Sequence, residues 1–168
     1  MDEVAAFNAM PAERLEADLL ACCAAPAWGA RLVAGRPYPD RAAIRAAADA
    51  ASRALSWADV LKGLSAHPRI GERPAGESRE AAWSRREQSA AAEGDDATAA
   101  ALVECNRAYE DRFGHVFLIF ASGRSRPEIL AAARERLGND EETERAVVAG
   151  ELRRIALRRL DRVLDALR

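Results

Sequence analysis

The sequence predicts an all-α fold, a single-domain bundle of about seven to nine helices. The chain of 168 residues has the length of one ordinary domain, so we expect a single helical domain over residues 1–168. Alanine and arginine, which favour helix, are abundant, whereas aromatic residues, which favour strands, make up 5%. Apolar residues also recur at helical spacing between glycine, proline and capping signals.

Four helices are predicted in the first part of the chain, over residues 11–23, 26–34, 41–55 and 57–66. The first should bury one stripe of four side chains, Leu15, Leu19, Leu20 and Cys23. Gly35 and the prolines after it end the second helix. Asp40 and Ser56 precede the next two helices as N-caps.

The second part begins with a loop, because two prolines and two glycines fall within residues 67–76. We expect helices from about Ser78 to Glu93, from Asp95 to Gly114, from the capping box at Ser125 to Gly138, and from Asp140 to the end. The run 116–120 is predicted to be a buried extended segment or a short apolar helix. The last helix should present an apolar face of seven residues: Ala146, Val147, Leu152, Ile155, Leu160, Val163 and Leu167.

Charge and composition narrow the possible partners and location. The formal net charge of −2 gives no basic field that would draw the protein to nucleic acid. No run of about 18 apolar residues could cross a membrane, and the N-terminus lacks the pattern of a secretory signal. We therefore expect a cytoplasmic protein without a nucleic-acid or membrane partner. Its three cysteines should be buried free thiols.

His67 opens the loop His67-Pro68-Arg69-Ile70-Gly71 and is the first candidate for chemistry. Proline after it disfavours helical geometry, so the imidazole should lie where the backbone leaves a helix. A histidine in a structured loop suits proton transfer, although a structural hydrogen-bonding role explains it as well. The other histidine, His115, is expected to be a half-buried packing residue.

Two further segments are candidates for a binding site. Ser84 lies one helical turn from Glu87 and Gln88, so three polar side chains share one face; a solvated helix face is the alternative. The segment Phe120-Ala121-Ser122-Gly123-Arg124-Ser125 has small residues after the apolar run, which would let a ligand approach the backbone closely; a simple turn and helix cap is the alternative. No metal-ligand spacing or glycine-rich phosphate loop is present, so we expect no metal.

Taken together, three motifs resemble the 2-oxo-4-hydroxy-4-carboxy-5-ureidoimidazoline decarboxylase family of urate degradation. They occur in the order His67-Pro68-Arg69-Ile70-Gly71, then Ser84 with Glu87-Gln88, then Asn106 with Tyr109 and Phe113-Gly114. Phe7-Asn8, Cys22, Trp28 and Arg36-Pro37-Tyr38 extend the resemblance over nearly the whole chain.

This resemblance implies a homodimeric, all-helical enzyme that decarboxylates the ureidoimidazoline to (S)-allantoin without a metal or organic cofactor. His67 would be the catalytic acid and Glu87 its acidic companion. The substrate would be held by residues from three segments, namely Pro68; Ser84, Arg85, Arg86, Glu87 and Gln88; and Ile119, Phe120, Ala121, Ser122 and Gly123.

An arginine-rich binding module without catalytic activity is the alternative. Five arginines of the last helix could contact phosphates or a protein partner: Arg153, Arg154, Arg158, Arg159 and Arg162. The interspersed acids Glu151, Asp161 and Asp165 favour instead a solvated face crossed by salt bridges.

Overall fold

The computed structural model describes residues 2–71, 78–92 and 95–168. Over these residues the chain forms nine α-helices, one 3₁₀ turn (Ala90–Ala92) and no β-strand, which confirms the all-α prediction. The helices are α1 (Glu3–Ala9), α2 (Ala12–Cys22), α3 (Pro26–Ala34), α4 (Arg41–Arg53), α5 (Trp57–Leu64), α6 (Arg79–Glu87), α7 (Asp96–Phe113), α8 (Arg126–Leu137) and α9 (Glu141–Ala166).

The chain divides into two compact units. The first comprises Met1–Gly63 and Leu152–Arg168, and the second comprises Leu64–Glu151. In the first unit α2 packs on α3 and α3 on α4, where the buried Trp28 donates from Nε1 to Ala48 O (3.2 Å). In the second unit α7 packs on α8, and α8 also contacts the 3₁₀ turn. The expectation of one domain over the whole chain stays a prediction.

Local capping signals define the helix ends as the sequence predicts. The side chains of Asp40, Asp95 and Asp140 each accept from a backbone N–H three residues later, at 2.8, 2.6 and 2.7 Å. Ser125 forms a complete capping box with Glu128. Gly114 ends α7 in the left-handed conformation, with φ of +79°. These caps depend on neighbours in sequence, so the sequence alone predicts them.

Two details of helix prediction are wrong. Leu20 is 44% exposed, and the buried stripe of α2 is completed by Cys22, since residues 15, 19 and 22 follow the helical repeat. The helix expected from Ser78 to Glu93 ends at Glu87, before the 3₁₀ turn. Glu93 itself lies outside the described residues. Alanine-rich sequence favours a continuous helix, but tertiary contacts of the turn override that propensity.

The buried face of α9 also differs from the expected one. Ala146 is exposed and Val147 half-buried, whereas Val148 is fully buried. Two charged residues assigned to a solvated face are buried, Glu151 at 7% exposure and Arg159 at 3%. Arg159 Nη1 donates to the carbonyl of Ala21 at 3.1 Å. The apolar face was misplaced because charged residues occupy buried positions of the helical repeat.

Salt bridges occur on α9 as the sequence predicts. Asp161 pairs with Arg41 and Arg45, and Arg153 Nη1 lies 2.6 Å from Asp49 Oδ1. Arg153 and Arg159 are therefore engaged within the fold, which weakens the case for an arginine surface that binds phosphates.

Among the helices that the structure describes, none is both long and apolar enough to span a bilayer.

The three cysteines, Cys22, Cys23 and Cys105, are buried free thiols, as predicted. Burial raises the pKa of the Cys23 thiol to about 11. Because the thiolate is the reactive form, Cys23 is an inert packing residue at neutral pH.

Candidate active site

The loop that begins at His67 leaves the end of α5. His67 N donates to Leu64 O at 3.0 Å, and residues 67–71 then form neither helix nor strand, as predicted. The remainder of the predicted loop, residues 72–76, lies outside the described residues. His67 and Pro68 are half-buried, whereas the side chain of Ile70 is buried. Gly71 has φ of +93°, a conformation that other residues adopt only with strain. The loop therefore has a defined shape, anchored at Ile70, with its imidazole partly accessible.

Helix α6 carries the polar face that the sequence singled out. Ser78 caps this helix by accepting from Ala81 N at 3.1 Å. Ser84 and Glu87 are buried, at 5% and 7% exposure, which excludes the alternative of a simple solvated face. Burial of a carboxyl and a hydroxyl costs free energy unless both have polar partners, so these two side chains need partners within the fold.

The remaining predicted residues of α6 differ in exposure. Gln88 is half-buried, Arg85 is half-buried and Arg86 is exposed. Arg86 lies about 200° around the helix axis from Ser84, so the two side chains point away from each other.

One hydrogen bond joins the His67 loop to the end of α6. Gly71 N donates to Gln88 Oε1 at 3.1 Å. This contact brings together two segments that the sequence marked separately, since Gly71 closes the loop and Gln88 follows Glu87. The sequence cannot specify the contact because the intervening residues do not determine how the two segments approach.

Residues 116–120 form no helix, which excludes the predicted short apolar helix and leaves the extended segment. Leu118, Ile119 and Ala121 are buried, while Phe120 and Ser122 are half-buried. Arg124 N donates to Ala121 O at 3.0 Å, which closes a turn at Gly123, whose φ is +77°. The backbone of this segment pairs with no strand in the described chain.

Side chains of α8 and α9 provide hydrogen-bond partners for this extended backbone. Arg136 Nη1 donates to Leu118 O at 2.6 Å, and Glu151 Oε2 accepts from Phe120 N at 3.4 Å. Buried backbone polar groups need such partners when no strand or helix supplies them. Sequence analysis missed both residues, because a charged residue on a long helix normally indicates a solvent-facing position.

Arg136 belongs to a buried polar network. Its Nε donates to Glu144 Oε1 at 2.7 Å, and Tyr109 Oη donates to the same oxygen at 2.7 Å. Burial, and then this bond to Glu144, raise the pKa of Tyr109 far above its ordinary value. Tyr109 is thus a neutral donor, and the network holds the segment that precedes Ile119. The sequence shows that Arg136 and Glu144 are charged, but no local pattern predicts that they are buried partners.

One hydrophobic cluster includes residues of the His67 loop, of the turn after α6 and of the extended segment. It contains Ile70 from the His67 loop, Ala91 from the 3₁₀ turn after α6, and Ile119 and Ala121 from the extended segment. Side chains of α7 and α8 complete the cluster, among them Leu102, Cys105, Tyr109, Ile129, Leu130 and Ala133. The His67 loop, the turn after α6 and the extended segment therefore pack in a common core. His115 is a half-buried packing residue, as predicted, with its ring 5.5 Å from that of Tyr109.

Arg126 connects the start of α8 to the chain that follows α6. Its guanidinium donates to the carbonyls of Ala91 (3.0 Å), Ala92 (2.9 Å) and Asp95 (3.2 Å). A cation in the first turn of a helix opposes the helix dipole, so these three bonds give a physical reason for an arginine there. They also give a physical reason why the helix predicted from Ser78 to Glu93 ends early, since the carbonyls of Ala91 and Ala92 accept from Arg126.

Beside the loop lies a cleft of about 320 Å³, lined by Arg69, Ile70, Gly71, Val103, Asn106, Arg107 and Glu110. Arg69 Nε lies 2.6 Å from Glu110 Oε1 across it.

Within the described ranges, no three His, Cys, Asp or Glu side chains are grouped so that they could hold a metal ion.

Comparison with known proteins identifies the family of this chain. The model of the OHCU decarboxylase family, where OHCU abbreviates the ureidoimidazoline named above, matches residues 8–161, which include all of the second compact unit and most of the first. The chain belongs to the OHCU decarboxylase family. Its members are decarboxylases, and the match includes all three segments of the site described above.

Two relatives agree with this assignment. The chain is 32% identical over 148 residues to the uric acid degradation bifunctional protein TTL of Arabidopsis thaliana, covering 86% of this chain and 45% of that protein. It is 30% identical over 142 residues to the 2-oxo-4-hydroxy-4-carboxy-5-ureidoimidazoline decarboxylase of Amia calva, covering 83% and 81%. The chain thus spans less than half of the plant protein and most of the fish protein.

Solved structures agree as well. A crystal structure of OHCU decarboxylase in the presence of (S)-allantoin superposes with a TM-score of 0.74 at 30% identity, covering 88% of this chain and 97% of that one. A crystal structure of (S)-allantoin synthase superposes with a TM-score of 0.70 at 20% identity, covering 94% and 53%, which supports the fold alone.

Proposed function

We propose that this chain catalyses decarboxylation of 2-oxo-4-hydroxy-4-carboxy-5-ureidoimidazoline to (S)-allantoin, a step of urate degradation. His67 is the proton donor, and Glu87 is its acidic companion. The observation that carries the proposal is the match to the OHCU decarboxylase family over residues 8–161. The similar crystal structure obtained with (S)-allantoin gives the product class that the site would accommodate.

The geometry of the site supports the assignment of roles. His67 is half-buried at the start of a loop, while Glu87 is buried one residue before Gln88, which binds the loop at Gly71. A partly accessible imidazole can exchange protons with solvent, and a buried carboxylate interacts more strongly with charge than an exposed one. Both features suit an acid–base pair that acts on a small molecule.

The chemistry requires one proton and one electron sink. When the C–C bond to the carboxylate breaks, carbon dioxide leaves and its electron pair enters the adjacent C=N bond of the ring. The enol-like intermediate then takes a proton at the neighbouring carbon, which carries the ureido group, while its hydroxyl group becomes the ring carbonyl of allantoin. Delivery from one face gives one enantiomer. An imidazole has a reference pKa near 6.5 and, as a positioned general acid, contributes roughly 10²–10⁴-fold.

The proposed binding segments supply complementary groups. Ser84, Gln88 and the guanidinium of Arg85 offer donors to the ring, ureido and carboxylate oxygens. Backbone N–H groups of the segment from Ile119 to Gly123 would stabilise negative charge that develops on the ring, because fixed dipoles need no reorganisation. Pro68 shapes the wall beside His67. Arg86 is exposed and is the weakest member of the proposed set.

The decisive experiment generates the substrate in situ from urate and follows allantoin chirality by circular dichroism. The parent protein should give optically active (S)-allantoin, whereas spontaneous decay gives a racemate. His67→Ala and Glu87→Ala should each reduce kcat by at least 10²-fold with little optical activity in the product. The double variant should be little worse than the worse single one, since residues that act as a unit are non-additive.

His115→Gln provides the matched control, because His115 is the other histidine of the chain and has a packing role. It should retain the parental optical purity below its melting temperature. A folded His67→Ala protein that makes optically pure allantoin at the parental rate would exclude His67 as the donor.

The proposal extends to cofactors, assembly and location. The substrate carries its own electron sink, so the reaction needs no pyridoxal, thiamine or metal group. Activity should survive chelator treatment, and recovery of lost activity with added zinc would contradict this.

A homodimer is expected from the family resemblance, and light scattering that gives a monomer mass at micromolar concentration would contradict it. The buried free thiols suit a reducing compartment such as the cytoplasm.

A further inference from the structure

The loop that carries His67 contacts helix α7 through one buried hydrogen bond. Asn106 Nδ2 donates to the carbonyl of Ile70 at 2.8 Å, and both groups are buried. Ile70 lies three residues after His67, and its side chain packs in the cluster that includes Leu102 and Tyr109 of α7. The amide of Asn106 therefore holds the backbone where the loop enters the core.

Two further contacts of this loop, made by Gly71 and Arg69, are more accessible to solvent. The bond from Gly71 N to Gln88 Oε1 (3.1 Å) is exposed, and the side chain of Arg69, which pairs with Glu110, is 50% exposed. Water can replace an exposed contact at little cost, whereas a buried carbonyl that loses its donor has no such substitute. The bond to Asn106 thus determines the loop position more strongly than the other two.

From these contacts we infer that Asn106 is a positioning residue for His67: it fixes the loop at Ile70 and thereby sets where the imidazole lies. This inference rests on the proposed function for its catalytic consequence, but the position of the imidazole can be measured without turnover. Asn106 acts through the loop, and no contact between Asn106 and the substrate is required.

The expected effect follows from the precision that proton transfer needs. A displacement of about 1 Å in a catalytic group can lower the rate by about 10²-fold. Asn106→Leu keeps the approximate size of the side chain and removes the donor to Ile70. We expect kcat to fall by roughly 10- to 100-fold, with a smaller change in KM and a loss of optical purity, since a displaced imidazole competes poorly with protonation from solvent.

Two control variants separate positioning from general damage. Glu104→Gln changes an exposed residue of α7 that does not line the cleft, and it tests the helix surface. Val148→Ala removes buried volume in α9 of the same unit, without any of the contacts that hold the loop, and tests loss of stability. Both should keep the parental kcat and optical purity at temperatures below their melting transitions.

The closing experiment observes His67 directly. The chain has only two histidines, so ¹³Cε1-labelled histidine gives two imidazole signals, which His115→Gln assigns. In Asn106→Leu the His67 signal should shift or broaden, whereas in Glu104→Gln and Val148→Ala it should stay at the parental position. An unchanged His67 signal in folded Asn106→Leu, or an equal change in Val148→Ala, would overturn the inference. A parent protein without decarboxylase activity would reject the proposed function instead, and the signals would still decide the positioning role.

Discussion

The buried pair between Arg136 and Glu144 allows a prediction whose magnitude follows from the structure. Their side chains are 8% and 1% exposed, and Arg136 Nη2 lies 2.5 Å from Glu144 Oε1. Arg136→Met would keep much of the buried volume but leave the carboxylate of Glu144 without its cation. Breaking a buried ion pair from one side costs about 3–5 kcal/mol, because an uncompensated charge remains inside.

This loss should be visible in thermal and urea unfolding. At about 2–4 °C per kcal/mol for a chain of this size, the melting temperature should fall by roughly 6–20 °C. The matched control is Arg145→Met, which removes the i,i+4 ion pair to Glu141 on the surface of α9, the helix that carries Glu144. Both side chains of this control pair are well exposed. That pair should contribute only about 0.3–0.5 kcal/mol.

A second variant tests the mechanism of the loss. In the double variant Arg136→Met with Glu144→Leu, no unpaired charge is left, so part of the lost stability should return. Recovery should be incomplete, because Tyr109 and Leu118 lose their hydrogen-bond partners. The reasoning would be refuted if Arg136→Met were within about 1 kcal/mol of the control, or if the double variant were less stable than the single one.

Three other predictions concern Arg126, Asp49 and a pair of glycines. Arg126→Ala should destabilise the fold by about 1–3 kcal/mol and lower decarboxylase activity, since three carbonyls between α6 and α7 lose their donor; equal unfolding midpoints and rates would contradict this. Hydrogen bonds from Arg53, the larger cause, and from Arg153 lower the pKa of Asp49. The charged Asp49 therefore contributes to stability above its ordinary pKa of 3.8, and this contribution disappears as pH falls through the lowered pKa. Asp49→Asn should therefore flatten the fall in melting temperature between about pH 5 and pH 2, and an unchanged slope would refute the assignment. Gly150→Ala in α9, where the added methyl group meets open space, should stabilise the folded protein by about 0.5–1 kcal/mol. Gly114→Ala, at a position with φ of +79°, should destabilise it by about 1–2 kcal/mol. Melting temperatures of the two variants that move in the same direction would contradict this prediction.

The helical class, most helix ends and the candidate segments could be predicted because their signals are local. Asp95 caps α7 through a backbone group three residues away, and Gly114 ends it through its own φ. The same holds for the irregular loop at His67, which Pro68 and Gly71 impose on the chain. The helical periodicity of apolar residues predicted most of the core. It was wrong at Leu20, because Leu19 and Leu20 are adjacent apolar residues and only Leu19 lies on the buried stripe.

The sequence by itself determined the all-α class, the helix caps and the loop that begins at His67, since each depends on interactions within a few residues. Only the tertiary structure decided which polar groups become buried partners. Arg136, Glu151 and Arg159 look like surface charges on long helices, yet they lie in the interior, where Arg136 and Arg159 donate to the carbonyls of Leu118 and Ala21 and Glu151 accepts from the N–H of Phe120. Asn106 reaches Ile70 across 36 residues in the same way. Such contacts satisfy backbone groups far away in sequence, and no local pattern of residues specifies them.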